Sequence, residues 1–177
     1  MPRLQNSIGG RGLKPLHFEV ESAGKGGRMI SKILVPTDGS KAAQKAALYA
    51  VDLAKKLKAT VIALSIIDKR SFMGQTVPAG KTARHVIEPI EDYLREAAEW
   101  YAGEIKKLCD KKGVRSKTVI TAGHPVEAIV KEAARAKTNL IIMGSHVMSA
   151  LSAAVLGSVA YGVIHKETKI PVLVVKG

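Results

Sequence analysis

Two glycine-serine pairs flank a small, apolar segment near the C-terminal end of the chain. The segment MGSHVMSALSAAVLGSVA, residues 143–160, begins within the strand-like run NLIIMG. Glycine lets backbone N–H groups approach a phosphate closely, and the N-terminus of a helix favours an anion. This segment is therefore a candidate phosphate-binding loop. The alternative interpretation, a plain connection to a helix with Ser158 as its N-cap, stays open.

A second polar turn, PTDGS at residues 36–40, follows the strand pattern KILVP. The carboxylate of Asp38 is suited to accept hydrogen bonds from a ligand. An aspartate in such a turn also commonly bonds to its own backbone, which is the structural interpretation. Ser40 is predicted to cap the helix that follows.

Alternating strands and helices position these two turns. From Ile30 onward, short β-branched runs alternate with helical patterns, which predicts a parallel α/β sheet with right-handed crossovers. The predicted strands are KILVP, TVIALSIID, VRSKTVIT, NLIIMG and IPVLVVKG, and the predicted helices are SKAAQKAALYAVDLAKKLKA, residues 89–112, PVEAIVKEAARAK and SVAYGVIHK.

The longest connection in this pattern covers residues 69–88. Proline suits the first turn of a helix, so the long helix is predicted to begin at Pro89 and to end at Lys112, before Gly113. The connection before it is then longer than usual for an α/β fold. It is expected either to close over the site or to be a solvated surface loop.

Length and composition favour one folded domain with an appendage. The 177 residues are 46% hydrophobic and only 4% aromatic, which suits helices packed on a buried parallel sheet. Residues 1–28 are rich in glycine and basic side chains and show little periodicity. They are predicted to be an N-terminal extension, flexible or an arm, and residues 29–177 are predicted to form the domain.

Composition also narrows the classes of partner. No apolar run reaches the ~18 residues of a membrane span, and no secretory signal is evident, so we expect a cytoplasmic protein with no membrane partner. The net charge of +13 is spread over several segments with few aromatic side chains for base stacking. This pattern disfavours specific nucleic-acid binding.

Several reactive side chains are predicted to be structural. Cys109 lies on the predicted long helix and is expected to be a small buried hydrophobe rather than a nucleophile. Because it is the single cysteine, no thiolate zinc cluster can form, and no metal site is expected. His124, before Pro125, is predicted to serve a turn or a cap. Glu127 and Glu132 are predicted to be solvated helix positions.

The chain carries five segments in the following order: ILVPTDGS, AGHPVEAIVKEA, LIIMGSH, LGSVA and PVLVV. In their order and spacing they resemble the universal stress protein family, over residues 30–176. The resemblance implies an adenine-nucleotide alpha-hydrolase-like α/β fold, a five-stranded parallel sheet of order 3-2-1-4-5 with helices on both faces. In that order a crevice opens at the carboxyl ends of strands 1 and 4, where both polar turns lie.

Nucleotide-binding members of the family carry G-x-x-G-x9-G-(S/T) after strand 4. In this chain the first glycine is Gly144 and the last pair is Gly157 and Ser158, but the second glycine is replaced by Val147. Valine disfavours positive φ and adds bulk, at a cost on the order of 1–3 kcal/mol if the backbone is unchanged. Either the loop re-routes and keeps an anion site that includes Ser145, or Val147 closes the crevice.

The resemblance also implies the roles of individual residues. Asp38 is expected near the adenosine end, and Ile66 beside Met143 in the adenine slot. The implied ligand is ATP or a related adenine nucleotide, with Mg²⁺ carried by the nucleotide. The implied cofactor-binding residues are Pro36, Thr37, Asp38, Ile66, Met143, Gly144, His146, Val147, Gly157, Ser158 and Val159.

The implied function is that of a regulatory protein in stress response, which binds this nucleotide and a further protein partner. It is expected to form a homodimer through the apolar edge strand from Ile170 to Val175, unless LHFEV in the N-terminal arm covers an edge instead. The alternative is a nucleotide-free dimeric interaction module with its crevice closed by Val147. An enzyme is least favoured, at most a slow ATPase, because the chain has no G-x-x-x-x-G-K-(S/T) loop.

Overall fold

The structure is a computed structural model that describes residues 30–68, 81–145, 156–166 and 169–176, with the side chains of residues 81–89 excepted. Strands and helices alternate along these ranges, as the sequence predicts. The elements are β1 (Lys32–Thr37), α1 (Lys41–Leu57), β2 (Thr60–Ile67), α2 (Lys81–Lys112), β3 (Ser116–Ala122), α3 (Pro125–Arg135), β4 (Leu140–Ser145), α4 (Ser158–His165) and β5 (Val172–Lys176).

The strands form one parallel sheet of order β3-β2-β1-β4-β5. This order confirms the predicted 3-2-1-4-5 arrangement. Helices α1 and α2 cover one face, where Ile33 and Val35 of β1 are buried. Helices α3 and α4 cover the other face, where Leu34 of β1 is buried. Because parallel strands are buried on both faces, β1 is a nearly continuous apolar run.

Asn139 holds β1 beside β4 at the amino end of the sheet. Its side-chain oxygen accepts hydrogen bonds from the backbone N–H of Ser31 at 2.9 Å, from the Ser31 hydroxyl at 2.9 Å and from the N–H of Lys32 at 3.1 Å. Its own N–H donates to the carbonyl of Lys32 at 2.9 Å. These bonds fix the two strands side by side, so their carboxyl ends emerge together.

Capping residues define the starts of two helices as predicted. The Ser40 hydroxyl accepts from the N–H of Ala43 at 3.2 Å, which confirms Ser40 as the N-cap of α1. Nδ1 of His124 accepts from the N–H of Val126 at 3.2 Å, with Pro125 in the first turn of α3. The predicted capping role of His124 is therefore confirmed.

Helix α2 begins earlier than the sequence predicts. It starts at Lys81, so the prediction that Pro89 opens the helix is wrong, and residues 81–88 are helical rather than part of the long connection. A proline inside a helix removes one hydrogen bond and crowds the preceding turn, at a cost of about 3 kcal/mol, but it does not end this 32-residue helix. The remaining connection, residues 69–80, lies outside the described residues.

Glu132 is the one predicted solvated position that the structure contradicts. It is 7% exposed, and both its carboxylate oxygens accept hydrogen bonds from Arg135, at 2.6 and 2.8 Å. This bidentate pair compensates the burial of the carboxylate on the inner face of α3. Glu127 is exposed, as predicted.

Cys109 lies in the core between α2 and the sheet, as predicted. Its side chain is fully buried, and desolvation raises the pKa of its thiol. No helix within the described ranges has the length and apolar character that crossing a membrane requires.

Candidate functional site

The turn after β1 is built by hydrogen bonds from its own side chains. The N–H of Gly39 donates to the hydroxyl of Thr37 at 3.2 Å, and the N–H of Ser40 donates to a carboxylate oxygen of Asp38 at 3.0 Å. The structural interpretation of Asp38 is thus confirmed. A carboxylate can accept several hydrogen bonds, and Asp38 is exposed, so this turn bond leaves room for a ligand contact.

Tyr101 of α2 packs against this turn, a contact that the sequence did not indicate. Gly39 has φ +78°, and a Cβ at this position would lie 2.1 Å from the nearest ring atom of Tyr101. The turn therefore requires glycine for its conformation, and any other residue here would also displace the ring of Tyr101. Helical spacing from the buried Ala98 and Ile105 places Tyr101 near the inner face of α2, but only the tertiary structure shows which turn it contacts.

At the end of β4, Gly144 lies against the first residues of α1. A Cβ on Gly144 would be 2.4 Å from the carbonyl carbon of Ala42 and 2.7 Å from the backbone nitrogen of Ala43. Backbone atoms cannot move aside as a flexible side chain can, so glycine is needed here for packing. Its proposed contact with phosphate is a separate matter and stays a prediction. The close approach brings the N-terminus of α1 to the crevice.

Ser145 connects the end of β4 to the start of α4. Its hydroxyl oxygen accepts a hydrogen bond from the N–H of Gly157 at 3.2 Å, and Ser145 is buried. Residues 145 and 157 close the two ends of the glycine-serine segment, so the structure brings both of its glycine-serine pairs together. Residues 146–155 lie outside the described residues, and this range includes the predicted site residues His146 and Val147.

The interpretation of Ser158 as an N-cap is wrong. The N-cap of α4 is Gly157, with extended backbone angles, and Ser158 is already the first helical residue. Among the described residues, no side chain caps this helix. Because the N–H of Gly157 donates to Ser145, the donors suited to a ligand are the next amides of the first turn, including those of Ser158 and Val159.

The N-termini of α1 and α4 both reach the carboxyl ends of β4 and β1, and neither helix has an acidic residue in its first turn. The first turn of α3, by contrast, carries Glu127. Helix N-termini carry partial positive charge, so this edge of the sheet favours an anion. No three His, Cys, Asp or Glu side chains in the described part of the chain are placed to hold a metal ion.

An apolar wall lies on the α3 and α4 side of the same edge. Met143 is buried in that core, and the half-buried Ile66 and Val159 pack against it. Pro36, two residues after Leu34 on β1, points to the same face because side chains alternate along a strand. Ile66 and Met143, the two residues predicted to line the adenine slot, thus lie on one face, beside the polar ends of the strands. Their contacts with a ligand remain predictions.

Comparison with known proteins defines the class. The family model of the universal stress protein family matches residues 29–176. The chain belongs to the universal stress protein family.

Two relatives come from Methanocaldococcus jannaschii. Universal stress protein MJ0577 is 40% identical over 157 residues, covering 84% of this chain and 96% of the relative. Universal stress protein MJ0531 is 36% identical over 151 residues, covering 85% of each chain.

Solved structures agree with the fold. The structure of MJ0577 superposes with a TM-score of 0.67 at 36% identity, covering 84% of this chain and 97% of that chain. A universal stress protein in complex with cAMP superposes with a TM-score of 0.55 at 24% identity, covering 84% and 98%. The fold is therefore the adenine-nucleotide alpha-hydrolase-like fold of this family.

Proposed function

We propose that this protein binds an adenine nucleotide, with ATP as the leading candidate, in the crevice between the carboxyl ends of β1 and β4. The observation that carries the proposal is the hydrogen bond between the Ser145 hydroxyl and the N–H of Gly157. It holds the N-terminus of α4 at the end of β4, whatever path the intervening loop takes. An anion site built on this bond does not require a glycine at position 147.

The two halves of the crevice suit the two halves of a nucleotide. The phosphates face the amides of the first turn of α4, where Ser158 is exposed and its hydroxyl adds a donor. The base lies against the apolar wall of Ile66 and Met143, and Asp38 faces the sugar. The complex of cAMP with a protein of the same fold guides the choice of adenine nucleotides as first ligands.

The first experiment measures nucleotide that is retained through purification. The protein is purified without added nucleotide and denatured, and the released small molecules are separated by chromatography. Titration calorimetry with ATP, with and without Mg²⁺, and then with AMP and cAMP follows. We expect at least one adenine nucleotide to bind. If the wild type fails to bind any of them, the proposal is wrong, and Val147→Gly then shows whether the valine side chain is the cause.

A matched pair of variants locates the site. Ile66→Glu places a charge on the apolar wall and is expected to weaken nucleotide binding by one to two decades, an estimate from ~1–3 kcal/mol for an unfavourable buried carboxylate. Ile164→Glu makes the same change on the exposed face of α4 and is expected to leave affinity unchanged. Equal loss in both variants would place the ligand elsewhere.

The alternative function is a nucleotide-free interaction module, and Val147 in place of glycine is the observation that favours it. Under this alternative the wild type binds no nucleotide, and Val147→Gly acquires binding because the valine side chain is removed. Under the main proposal the same substitution changes an affinity that already exists. The two functions therefore predict different results for the wild type: nucleotide binding under the main proposal and no binding under the alternative.

The proposal includes a homodimer formed through β5 and a regulatory role in stress response in the cytoplasm. Strand β5 pairs with β4 on one side, and its residues Val172 and Val174 are only half-buried. An apolar edge of this kind is commonly covered by a second chain. Residues 1–28 are proposed as an extension to this dimeric domain.

Light scattering after size exclusion tests the dimer. The wild type is expected to elute as a dimer, and Val172→Glu combined with Val174→Glu as a monomer. A control pair on the opposite edge strand, Thr118→Glu with Ile120→Glu, is expected to remain dimeric. A monomeric wild type, or a dimer that survives the β5 substitutions, would contradict assembly through this edge.

A further inference from the structure

Helix α2 presents an exposed face that combines aromatic and acidic side chains. Tyr93 is 70% exposed and Trp100 is 57% exposed, and they are one heptad apart on the same side of the helix. The buried residues Ala98, Ala102 and Ile105 point the other way, into the core. We call this exposed surface the acidic-aromatic face; it comprises Asp92, Tyr93, Glu96, Glu99, Trp100 and Glu104.

The charge of this face is opposite to that of the protein as a whole. The chain has a net charge of +13 and only 15 acidic residues, yet five of these lie between residues 90 and 104, where Arg95 is the single basic residue. Glu104 pairs with Lys107 at 2.8 Å, and this ion pair lies at the C-terminal end of the face. Two exposed rings surrounded by carboxylates favour a cationic, extended partner, because Lys and Arg bind both groups.

A second copy of the same face is a poor occupant. A symmetric contact would bring the carboxylates of the two copies together, and like charges in close contact are unfavourable. The N-terminal segment of this chain has the required charge instead. Residues 1–28 carry five basic residues, Arg3, Arg11, Lys14, Lys25 and Arg28, against two acidic residues, Glu19 and Glu21.

The first described residue after this segment, Ile30, lies on the side of the sheet that α2 covers. Ile30, where the described structure begins, packs against the core that α1 and α2 cover. The C-terminal end of α2 lies at the same end of the sheet as Ile30. At the start of β2, the N–H of Thr60 donates to the carbonyl of Ser31, just after Ile30, and the N–H of Val61 donates to the carbonyl of Arg115, just after α2. Ile30, which follows the segment, therefore lies at the same end of the sheet as the C-terminal end of the helix that carries the face.

Its length is sufficient to reach the acidic-aromatic face. Along α2, Tyr93 lies about 28 Å from Lys112 at 1.5 Å per residue. The chain from Lys14 to Ile30 spans up to about 50 Å when it is extended. We infer that the basic N-terminal segment, residues 1–28, docks on the acidic-aromatic face of α2 in the same molecule, with its Arg and Lys side chains against Trp100, Tyr93 and the surrounding carboxylates.

Trp100 is the single tryptophan of the chain, so its fluorescence reports on this face alone. The test compares acrylamide quenching of the full chain with that of a variant carrying Arg3→Glu, Arg11→Glu and Lys14→Glu. We expect the variant to show a red-shifted emission and stronger quenching, because its Trp100 is uncovered. Raising NaCl to about 1 M, where the Debye length is ~3 Å, should move the wild type toward the variant.

A control variant separates a local contact from the total charge. Lys117→Glu, Lys131→Glu and Lys166→Glu change the net charge by the same amount at exposed positions of β3, α3 and the end of α4. This control is expected to keep the wild-type emission and quenching. Combining the arm variant with Glu96→Arg and Glu99→Arg is expected to restore protection of Trp100, since the charges are then complementary again.

Three results would overturn the inference. The first is equal quenching in the wild type and the arm variant, as expected if the segment covers a sheet edge instead. The second is the same change in the control variant. The third is protection of Trp100 that disappears on dilution, which would assign the contact to the segment of another molecule.

Discussion

Gly144 shows how one missing side chain positions the candidate site. Its Cα lies so close to the backbone of Ala42 and Ala43 that a methyl group has no space. We expect Gly144→Ala to lower the free energy of unfolding by about 1–3 kcal/mol, the usual cost of overpacking. Urea denaturation of the ligand-free protein measures this change.

Gly103 provides the matched control for that substitution. It lies within α2, and a Cβ at this position has no atom within 4 Å. Gly103→Ala is therefore expected to raise the free energy of unfolding by about 0.5–1 kcal/mol, because alanine is the better helix former. If Gly144→Ala were stabilising as well, the close contact between β4 and α1 would be wrong.

At the scale of the elements, the starts of α1 and α4 differ although each has a serine near its first turn. The hydroxyl of Ser40 caps α1, whereas Ser158 follows the glycine cap of α4. Ser40→Ala is expected to cost about 1 kcal/mol in unfolding free energy. Ser158→Ala is expected to cost less than about 0.5 kcal/mol, as for an exposed surface position. Thermal and urea unfolding of both variants measure the difference, and equal losses would contradict the assigned boundary of α4.

Helix boundaries also show where sequence patterns lose information. Ser40 and His124 are local signals, because a cap bonds to a backbone group two or three residues away. The start of α2 is not marked by such a local signal. Proline at position 89 suggests the first turn of a helix, yet eight helical residues precede it. The prediction that Glu132 is solvated is wrong for a similar reason, since its polarity indicates solvent but its position on α3 faces the interior.

At the scale of the whole molecule, an ion pair joins α1 to the end of α2. The Lys112 ammonium donates a hydrogen bond to the Asp52 carboxylate, and this bond lowers the pKa of Asp52 below its ordinary range. Lowering the folded-state pKa means that the pair stabilises the folded protein above the ordinary pKa of the carboxyl. This contribution is lost as the pH falls through the lowered value, below about pH 4.

Removal of the lysine tests this linkage. We expect Lys112→Gln to raise the pKa of Asp52, measured by NMR titration of its carboxyl carbon, toward the ordinary value. The adjacent Lys111→Gln is the control and is expected to leave the pKa of Asp52 unchanged. The stability difference between the wild type and Lys112→Gln should shrink as the pH falls below about 4, and a difference that grows there would contradict the assignment.

The sequence by itself determined the succession of strands and helices along the chain, the family and the positions of both polar turns in that succession. These features depend on periodicity, local capping and motif spacing, all of which are written along the chain. Only the tertiary structure decided which atoms meet at the crevice. Tyr101 against Gly39, Gly144 against Ala42 and Ser145 with Gly157 are contacts between separate elements, and their geometry follows from how the helices pack on the sheet.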